Sequence, residues 1–214
     1  MKGLLIANGE IGDKEFYSKL MDKEDFEYIT CADGGANNAY KLKIKPDSIV
    51  GDLDSINEKV RTYFTGEKVD FIKYPAQKNE TDTEIALSHL IEKGCNSIIM
   101  IGCSGRRIDH TMANIHLLYE LAKKNIDAMM VDEYNSMEVI LNEKALIGKK
   151  GCTVSLVPLS ESVKKITLHG FYYQLNNQDL DMGSSRGISN VVTDNKAKIE
   201  FEQGVLLLVY SEGD

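Results

Sequence analysis

In the stretch "PDSIVGDLDSI" (Pro46–Ile56), an apolar run is followed directly by the acidic sequence Gly-Asp-Leu-Asp. The apolar run predicts a short strand, and the glycine and aspartates predict the loop in which this strand ends. Two carboxylates, those of Asp52 and Asp54, therefore lie one residue apart at the predicted carboxyl end of a strand. Paired negative charge at such a position suggests a functional site at the carboxyl ends of the strands.

Strand and helix patterns alternate through the first part of the chain. Five short apolar runs each precede a segment with helical periodicity. The runs are "GLLIA", "YITCA", "SIVGD", "VDFIKY" and "SIIMIG", and the helical segments lie near 14–21, from 36, near 57–64, at 81–93 and at 112–124. This alternation predicts an α/β fold with a parallel sheet.

The sequence changes in character after "AMMVD", near residue 130. The apolar segments that follow are short and are separated by Gly, Asn, Asp and Ser residues, which are typical of turns. These segments are "MEVIL", "CTVSLVPL", "KKITLHG", "AKIEF" and "VLLLVY". The pattern predicts an antiparallel sandwich or barrel, so we divide the chain into an α/β domain, residues 1–132, and an all-β domain, residues 133–214.

Composition limits the classes of function. The chain has 214 residues, of which 43% are hydrophobic, and a formal net charge of -8. It is long enough to bury a sizeable core, and its acidity argues against binding to nucleic acid, which needs clustered Lys and Arg. No apolar run approaches the roughly 20 residues of a membrane span, and "MKGLLIANGE" lacks the features of a signal peptide. We therefore expect a cytoplasmic protein that binds neither nucleic acid nor a membrane.

The cysteines and histidines do not predict a metal site. The four cysteines are far apart and include no Cys-x-x-Cys pair, which favours reduced and mostly buried thiols over a disulfide framework or a zinc site. His110 and His116 are six residues apart on a predicted helix and therefore face different sides.

Polar and acidic residues follow each of the five predicted strands of the first domain. Open α/β sheets bind ligands outside the carboxyl ends of their strands, so these loops are expected to meet at one edge. They contain Asn8 and Gly9, Asp33 to Gly35, Asp52 and Asp54, Asp82, and Gly102 to Asp109. Grouped aspartates repel one another unless a cation neutralises them, and Mg²⁺ accepts one or two carboxylates together with water and phosphate oxygens. The paired carboxylates are most simply explained as metal ligands.

Helix capping explains two of these aspartates without any ligand. Thr81 and Glu84 form a capping-box pattern, in which Asp82 merely favours the helix dipole. Asp109 is suited to cap a helix that begins near residue 111. A turn or a solvated loop is the corresponding alternative for the others, which are Asp33, Asp52 and Asp54. Their joint occurrence at one edge favours the functional explanation.

The stretch "IGCSGRRIDH" (Ile101–His110) supplies cations beside the acidic loops. Gly102 and Gly105 permit close backbone approach and positive φ, and Arg106 and Arg107 precede a predicted helix N-terminus. This combination suggests a cradle for a polyphosphate. The stretch matches neither Gly-x-x-x-x-Gly-Lys-Ser/Thr nor Gly-x-Gly-x-x-Gly, and it misses the Gly-x-Ser-x-Gly nucleophile elbow by one position. The Asp-x-Asp loop likewise does not fit an EF-hand.

Five motifs, in this order and spacing, resemble the thiamine pyrophosphokinase family. They are "CADGGANNAY", "PDSIVGDLDS", "KNETDTEIAL", "GCSGRRIDHTMANI" and "MGSSRGISN", and the resemblance covers essentially the whole chain. It implies an N-terminal parallel-sheet α/β domain followed by a C-terminal all-β sandwich, and a homodimer through the C-terminal domain. It also implies transfer of pyrophosphate from ATP to thiamine with Mg²⁺, giving thiamine diphosphate and AMP.

The resemblance further implies roles for individual residues. Asp52, Asp54 and Asp82 match the metal ligands, and Asp109 completes the catalytic set as a hydroxyl orienter or base. The positions implied for ATP are Asn8, Asp33, Gly34, Lys78, Gly102, Ser104, Arg107 and His110. Those implied for thiamine are Tyr173, Ser189 and Asn190. Because Tyr173 stands where some members have tryptophan, thiamine is expected to stack on a smaller ring.

Two alternatives remain open at this point. One is a pyrophosphokinase on the same scaffold that acts on another heterocyclic alcohol, such as a hydroxymethylpterin. The other is a sensor of nucleotide or thiamine without turnover, in which the aspartates merely hold Mg-ATP. The complete acidic set argues against the sensor, because a binding module does not need so many charges at the point of transfer.

Overall fold

The computed structural model describes residues 1–211, which fall into two compact units. The first unit comprises residues 1–117 and 125–133, and the second comprises residues 118–124 and the chain from residue 134 onward.

Six strands of the first unit lie side by side, each parallel to its neighbours. They are β1 (Lys2–Ile6), β2 (Tyr28–Ala32), β3 (Ser48–Gly51), β4 (Asp70–Lys73), β5 (Ser97–Ile101) and β6 (Asp127–Val131). Their order is β6-β5-β1-β2-β3-β4. The predicted parallel α/β region is confirmed.

Five helices alternate with these strands. They are α1 (Lys14–Lys23), α2 (Gly35–Leu42), α3 (Glu58–Gly66), α4 (Asp82–Glu92) and α5 (Ile108–Lys123). The predicted start of the last helix was wrong, because α5 begins at Ile108 rather than at Met112. The predicted helix began at Met112, whereas Ile108, one turn earlier, is exposed, so no buried apolar side chain marks the first turn of α5.

The core of the first unit lies around its central strands. Leu4, Cys31 and Ile49, from β1, β2 and β3, are fully buried and belong to one apolar cluster with Tyr17 of α1 and Phe64 of α3. Burial of each large apolar side chain stabilises the fold by about 1.5–3 kcal/mol. This packing holds the strands rigidly, and so it fixes where their loops begin.

The strand order reverses direction at β1. Strands β2, β3 and β4 follow on one side of β1, whereas β5 and β6 lie on its other side. Such a reversal is the topological switch point of an open α/β sheet, where ligands bind beyond the carboxyl ends of the strands. The loops after β1 and β5 begin at this point.

The second unit contains two antiparallel groups of strands. They are formed by β7 (Asn135–Ile140), β8 (Glu143–Ile147), β9 (Thr153–Pro158), β10 (Ser162–His169), β11 (Gln178–Asp181), β12 (Asn190–Val191), β13 (Lys196–Glu200) and β14 (Leu206–Ser211). One group has the order β12-β9-β14-β7 and the other has the order β11-β10-β13-β8. Of the sandwich and the barrel that the pattern allowed, the sandwich is confirmed.

Two other expectations concern the whole described chain. The four cysteines, all within residues 1–211, are free, and Cys31, Cys95 and Cys103 are buried, as predicted. Among the helices of residues 1–211, none combines the length and the apolar character that crossing a membrane requires.

Candidate active site

A cavity of about 940 Å³ lies beyond the carboxyl ends of the parallel strands, within the first unit. Its walls come from the loops after all six parallel strands and from the N-terminal ends of α4 and α5. The predicted site residues that line it are Asn8, Asp33, Gly34, Asp52, Lys78, Asp82, Gly102, Ser104, Arg107 and His110. The loops at the switch point therefore converge on one cavity.

Three aspartates form a compact group in this cavity. One carboxylate oxygen from each of Asp33, Asp52 and Asp82 lies within 4.8 Å of the other two. Asp33 is only 6% exposed, and its Oδ1 makes no hydrogen bond to any other part of residues 1–211. Burial raises the pKa of Asp33. Hydrogen bonding of its carboxylate to Ser55 and to the backbone of Gly34 opposes this rise, and the neighbouring charges of Asp82 and Asp52 add to it.

Gly51 makes room for this group at the end of β3. Its φ is +149°, and a Cβ atom there would lie 2.9 Å from both Asp33 Cβ and Asp82 Oδ1. A larger residue would force the carboxylates apart. The glycine of the Gly-Asp-Leu-Asp stretch therefore has a steric role beside the two aspartates that follow it.

The group is chemically suited to a hard divalent cation. Its donors are all carboxylate oxygens, which Mg²⁺ and Ca²⁺ prefer. A buried carboxylate oxygen without a hydrogen bond is costly unless a cation compensates it. The residues present therefore fit a magnesium ion.

The sequence predicted Asp54 as the third metal ligand beside Asp52 and Asp82, whereas the third carboxylate of the observed group is that of Asp33. Asp54 is exposed, its Oδ1 accepts a hydrogen bond from Ser55 Oγ at 2.9 Å, and it does not line the cavity. Leu53, between the two acidic residues, is buried and has a φ of 67°, so the chain turns sharply there. A role for Asp54 in metal binding stays a prediction.

The N-terminus of α4 combines the capping and the acidic roles. Thr81 Oγ1 accepts a hydrogen bond from the backbone N–H of Glu84 at 3.2 Å, as the capping-box pattern predicts. Asp82, the first residue of the helix, nevertheless belongs to the acidic group. Lys78 Nζ lies 2.6 Å from Asp82 Oδ1, which brings one cation against these carboxylates.

The loops after β1 and β5 pack backbone to backbone. The N–H of Gly9 donates to Gly102 O at 2.7 Å, and a Cβ atom at Gly9 would lie 2.3 Å from Ser104 O. Asn38 of α2 donates from Nδ2 to the carbonyl oxygens of Ala7 and Gly9, at 2.8 and 2.9 Å. Sequence reasoning missed Asn38, because the sequence does not distinguish a buried asparagine of a helix from an exposed one.

Asp109 lies in the first turn of α5 and is paired with Arg107. The guanidinium donates from Nε to Asp109 Oδ1 at 2.9 Å and from a terminal nitrogen to Oδ2 at 2.5 Å. This exposed pair holds the pKa of Asp109 well below its usual range. Asp109 does not cap the helix from outside, as the capping alternative supposed, and it does not line the cavity.

A second cavity, of about 320 Å³, lies within the second unit. It is lined by Leu168, Tyr172, Tyr173, Gln174, Leu175, Arg186, Gly187 and Asn190. Tyr173 is 59% exposed, and its ring meets that of Tyr172 edge to face with centroids 4.9 Å apart. An exposed aromatic pair beside a cavity is suited to stacking on a flat heterocycle.

The side chain of Asn190 is occupied by hydrogen bonds to backbone. Its Oδ1 accepts from the N–H groups of Tyr173 and Val191, at 3.0 and 2.9 Å, and its Nδ2 donates to Tyr173 O at 2.7 Å. Asn190 is only 2% exposed, so it holds Tyr173 in place. Ser189 is exposed with a φ of 53° and does not line the cavity.

Two family profiles match this chain, one along its first part and one along its second. The family profile "Thiamin pyrophosphokinase, catalytic domain" matches residues 17–130, and "Thiamin pyrophosphokinase, vitamin B1 binding domain" matches residues 138–206. The chain belongs to the thiamine pyrophosphokinase family. It is an enzyme of that family, a transferase whose catalytic profile falls in the first unit except at residues 118–124 and whose vitamin B1 profile falls in the second.

Individual relatives support the same conclusion. Thiamine pyrophosphokinase from Bacillus subtilis is 33% identical over 181 residues, which make up 84% of this chain and 85% of that protein. The crystal structure of thiamine pyrophosphokinase from Bacillus subtilis matches with a TM-score of 0.87 and 28% identity over 100% of both chains. That of thiamin pyrophosphokinase from Geobacillus thermodenitrificans matches with a TM-score of 0.84 and 29% identity, over 100% of this chain and 99% of the other.

Proposed function

We propose that this member of the thiamine pyrophosphokinase family transfers a diphosphate group from ATP, bound with Mg²⁺, to the hydroxyl of thiamine and releases AMP. The main support is the group of three carboxylates in the first cavity, with its buried and unpartnered Asp33 oxygen. A charge arrangement of this kind stabilises the protein poorly and suits a cation with a polyphosphate.

The first cavity is suited to the nucleotide. Its volume is within the range of small-molecule sites. Lys78 and Arg107 supply positive charge. The N-terminal ends of α4 and α5 line the cavity, and the backbone N–H groups at a helix N-terminus favour an anion. These features would bind and align the triphosphate.

Asp33, Asp52 and Asp82 would hold the metal ion, with Asp54 as a further proposed ligand. A bound Mg²⁺ would supply neutralisation of the charge that develops on the phosphates during transfer. To join the other three, Asp54 would have to exchange its hydrogen bond with Ser55 for the metal.

The reaction needs alignment and charge neutralisation more than covalent help from the protein. Lys78 and Arg107 neutralise phosphate oxygens, and Asp109 orients the thiamine hydroxyl or accepts its proton. While Asp109 is paired with Arg107 its low pKa makes it a poor base. When a phosphate takes over the guanidinium, the pKa of Asp109 rises and the carboxylate becomes a better proton acceptor.

Thiamine is proposed to bind through the second unit. Tyr173 would stack on its heterocycle, Asn190 would fix the position of Tyr173, and Ser189 would contact the ligand directly. The exposed apolar side chains of neighbouring segments, Tyr172, Ile188 and Val191, support a homodimer through this unit. The free cysteines support a reducing compartment such as the cytoplasm.

Product analysis tests the proposed reaction. Purified protein with thiamine, ATP and Mg²⁺ should yield AMP and thiamine diphosphate in equal amounts, because attack on the β-phosphorus moves two phosphates in one step. Competition between thiamine and a hydroxymethylpterin should leave the pterin unmodified. Formation of ADP with thiamine monophosphate would contradict the proposed chemistry.

A further inference from the structure

Lys78 forms a salt bridge with one of the carboxylates proposed to bind the metal. Its Nζ lies 2.6 Å from Asp82 Oδ1, and the lysine side chain is only 12% exposed. The same Asp82 belongs to the group in which the carboxylate oxygens of three aspartates lie within 4.8 Å of one another. An internal cation and a metal ion would therefore compete for Asp82.

We propose that Lys78 closes the metal site of the nucleotide-free enzyme, so that a divalent cation binds tightly only together with the nucleotide. This inference rests on the proposed function of the site. Lys78 would be a positioning residue that couples the two ligands, in addition to any contact that it makes with phosphate.

The charges of the group lead to this coupling. Three carboxylates carry three negative charges, and Lys78 compensates one of them at hydrogen-bonding distance from Asp82. A divalent cation brought to the same oxygens is repelled by the ammonium group and must displace it. An ammonium released into a largely buried position needs another anionic partner.

The phosphates of a nucleotide provide that partner. Lys78 and Asp82 both line the cavity proposed to bind the triphosphate, so Lys78 can exchange the carboxylate for a phosphate oxygen without leaving the site. Asp82 is then free to bind the cation, which neutralises the phosphates in turn. By linkage, each ligand must strengthen the binding of the other by the same factor.

Binding of Mn²⁺ to the nucleotide-free protein tests the proposal directly, with free Mn²⁺ counted by its paramagnetic resonance signal. Lys78→Met removes the ammonium and keeps an unbranched side chain of similar length. We expect the variant to bind Mn²⁺ about tenfold more tightly than the unmodified protein, within the usual range of coupling between ligands. An unchanged Kd for Mn²⁺ would overturn the proposal.

Lys41→Met is the matched control for charge alone. Lys41 is exposed and lines the same cavity, but it is not paired with the acidic group in this structure. Its removal lowers the positive charge of the cavity by the same amount, so its effect on the Kd for Mn²⁺ should stay under about twofold. An equal gain in both variants would show general electrostatics and contradict a specific role for Lys78.

Asp82→Asn separates this inference from the proposed function. If the gain runs through Asp82, the double variant Lys78→Met/Asp82→Asn should bind Mn²⁺ no better than Asp82→Asn alone. Loss of Mn²⁺ binding in Asp82→Asn without a gain in Lys78→Met supports the metal site and rejects the coupling. Mn²⁺ binding that is indifferent to Asp82 rejects the metal site itself.

Addition of α,β-methylene-ATP, whose α–β bridge cannot be cleaved by the proposed reaction, measures the coupling. After correction for Mn²⁺ held by the free analogue, it should tighten Mn²⁺ binding to the unmodified protein about tenfold more than to Lys78→Met. Equal tightening in both proteins would overturn the proposal even if Lys78→Met binds Mn²⁺ more strongly on its own.

Discussion

At the scale of single residues, Asp33 shows a conflict between stability and function. Its carboxylate is buried, and Oδ1 has no hydrogen-bond partner within the described chain, an arrangement that opposes folding unless a cation is bound. Residues that break a local rule in this way are expected at functional sites. Asp33 is therefore the residue whose substitution best separates the two roles.

We predict that Asp33→Asn lowers kcat by about 100-fold, on the order of 3 kcal/mol of transition-state stabilisation, through loss of a charged ligand. In metal-free buffer the same variant should be as stable as the unmodified protein or more stable, by about 1 kcal/mol, because an uncompensated charge is removed. Steady-state kinetics and thermal unfolding in a chelator measure the two quantities. A variant that loses activity only because it unfolds would contradict the assignment.

Asn190 is the corresponding residue of the second unit. Two of its three hydrogen bonds to backbone groups are to Tyr173, whose ring is proposed to stack on thiamine, and the third is to Val191. Asn190→Ala should raise KM for thiamine several-fold and lower stability by about 1–3 kcal/mol, because buried backbone groups lose their partners. KM for ATP should hardly change. A rise in KM for ATP as large as that for thiamine would show a general loss of structure.

At the scale of elements, helix α4 joins the acidic group to the sheet. Asp82 lies at its first residue, and His89 on the same helix is 8% exposed and lies with Nε2 3.4 Å from the hydroxyl of Tyr28 in β2. Burial lowers the pKa of His89, Lys93 lowers it further, and Glu92 and Asp70 oppose the change. Folding therefore favours the neutral form of this histidine.

The lowered pKa of His89 predicts a dependence of stability on pH. The unfolded chain takes up a proton near pH 6.5, whereas the folded chain does so only at lower pH, so stability is lost as the pH falls below about 6.5. His89→Gln should flatten this part of the profile of unfolding free energy between pH 5 and 8. His116→Gln, at an exposed position of α5, serves as the control. Identical profiles for all three proteins would contradict the prediction.

Elements with regular apolar periodicity were predictable from the sequence, and short or exposed ones were not. The five helices and strands β1, β2, β3, β5 and β6 follow from their patterns because they bury apolar side chains. Strand β4 has no fully buried residue and was predicted from the apolar sequence "VDFIKY" alone. The strands β8, β11 and β12 were missed, since each of them has only one buried residue. In β8 that residue is Leu146, and one buried side chain does not produce an alternating pattern from which a strand is recognised.

The same limit applies to the loops that form the site. Strand ends placed Asp33, Asp52 and Asp82 at one edge of the sheet, as the sequence predicted, because parallel strands share the direction of their carboxyl ends. Periodicity does not determine where a loop side chain points. Leu53 has a φ of 67° and turns the chain between Asp52 and Asp54, and the third carboxylate of the group is that of Asp33 rather than Asp54.

At the scale of the whole molecule, the catalytic and the thiamine-binding features lie in different units, so a complete site needs both. The acidic group and nearly all of the catalytic profile belong to the first unit, and the vitamin B1 profile and Tyr173 belong to the second. A homodimer through the second unit, as we propose, allows one chain to supply the phosphate chemistry and its partner to supply Tyr173. Variants of the two units then complement each other.

The complementation experiment combines Asp52→Asn, defective in the first unit, with Tyr173→Ala, defective in the second. Tyr173→Ala alone should raise KM for thiamine through loss of stacking worth about 1 kcal/mol and of apolar burial, with ATP binding nearly intact. In a mixed dimer with shared sites, one site carries both defects and the other carries none. Activity per mixed dimer should therefore return to about half that of the unmodified protein, as two-fold symmetry requires. Exchange of subunits, verified by mass on tagged chains, without any return of activity would show that each site is made by one chain.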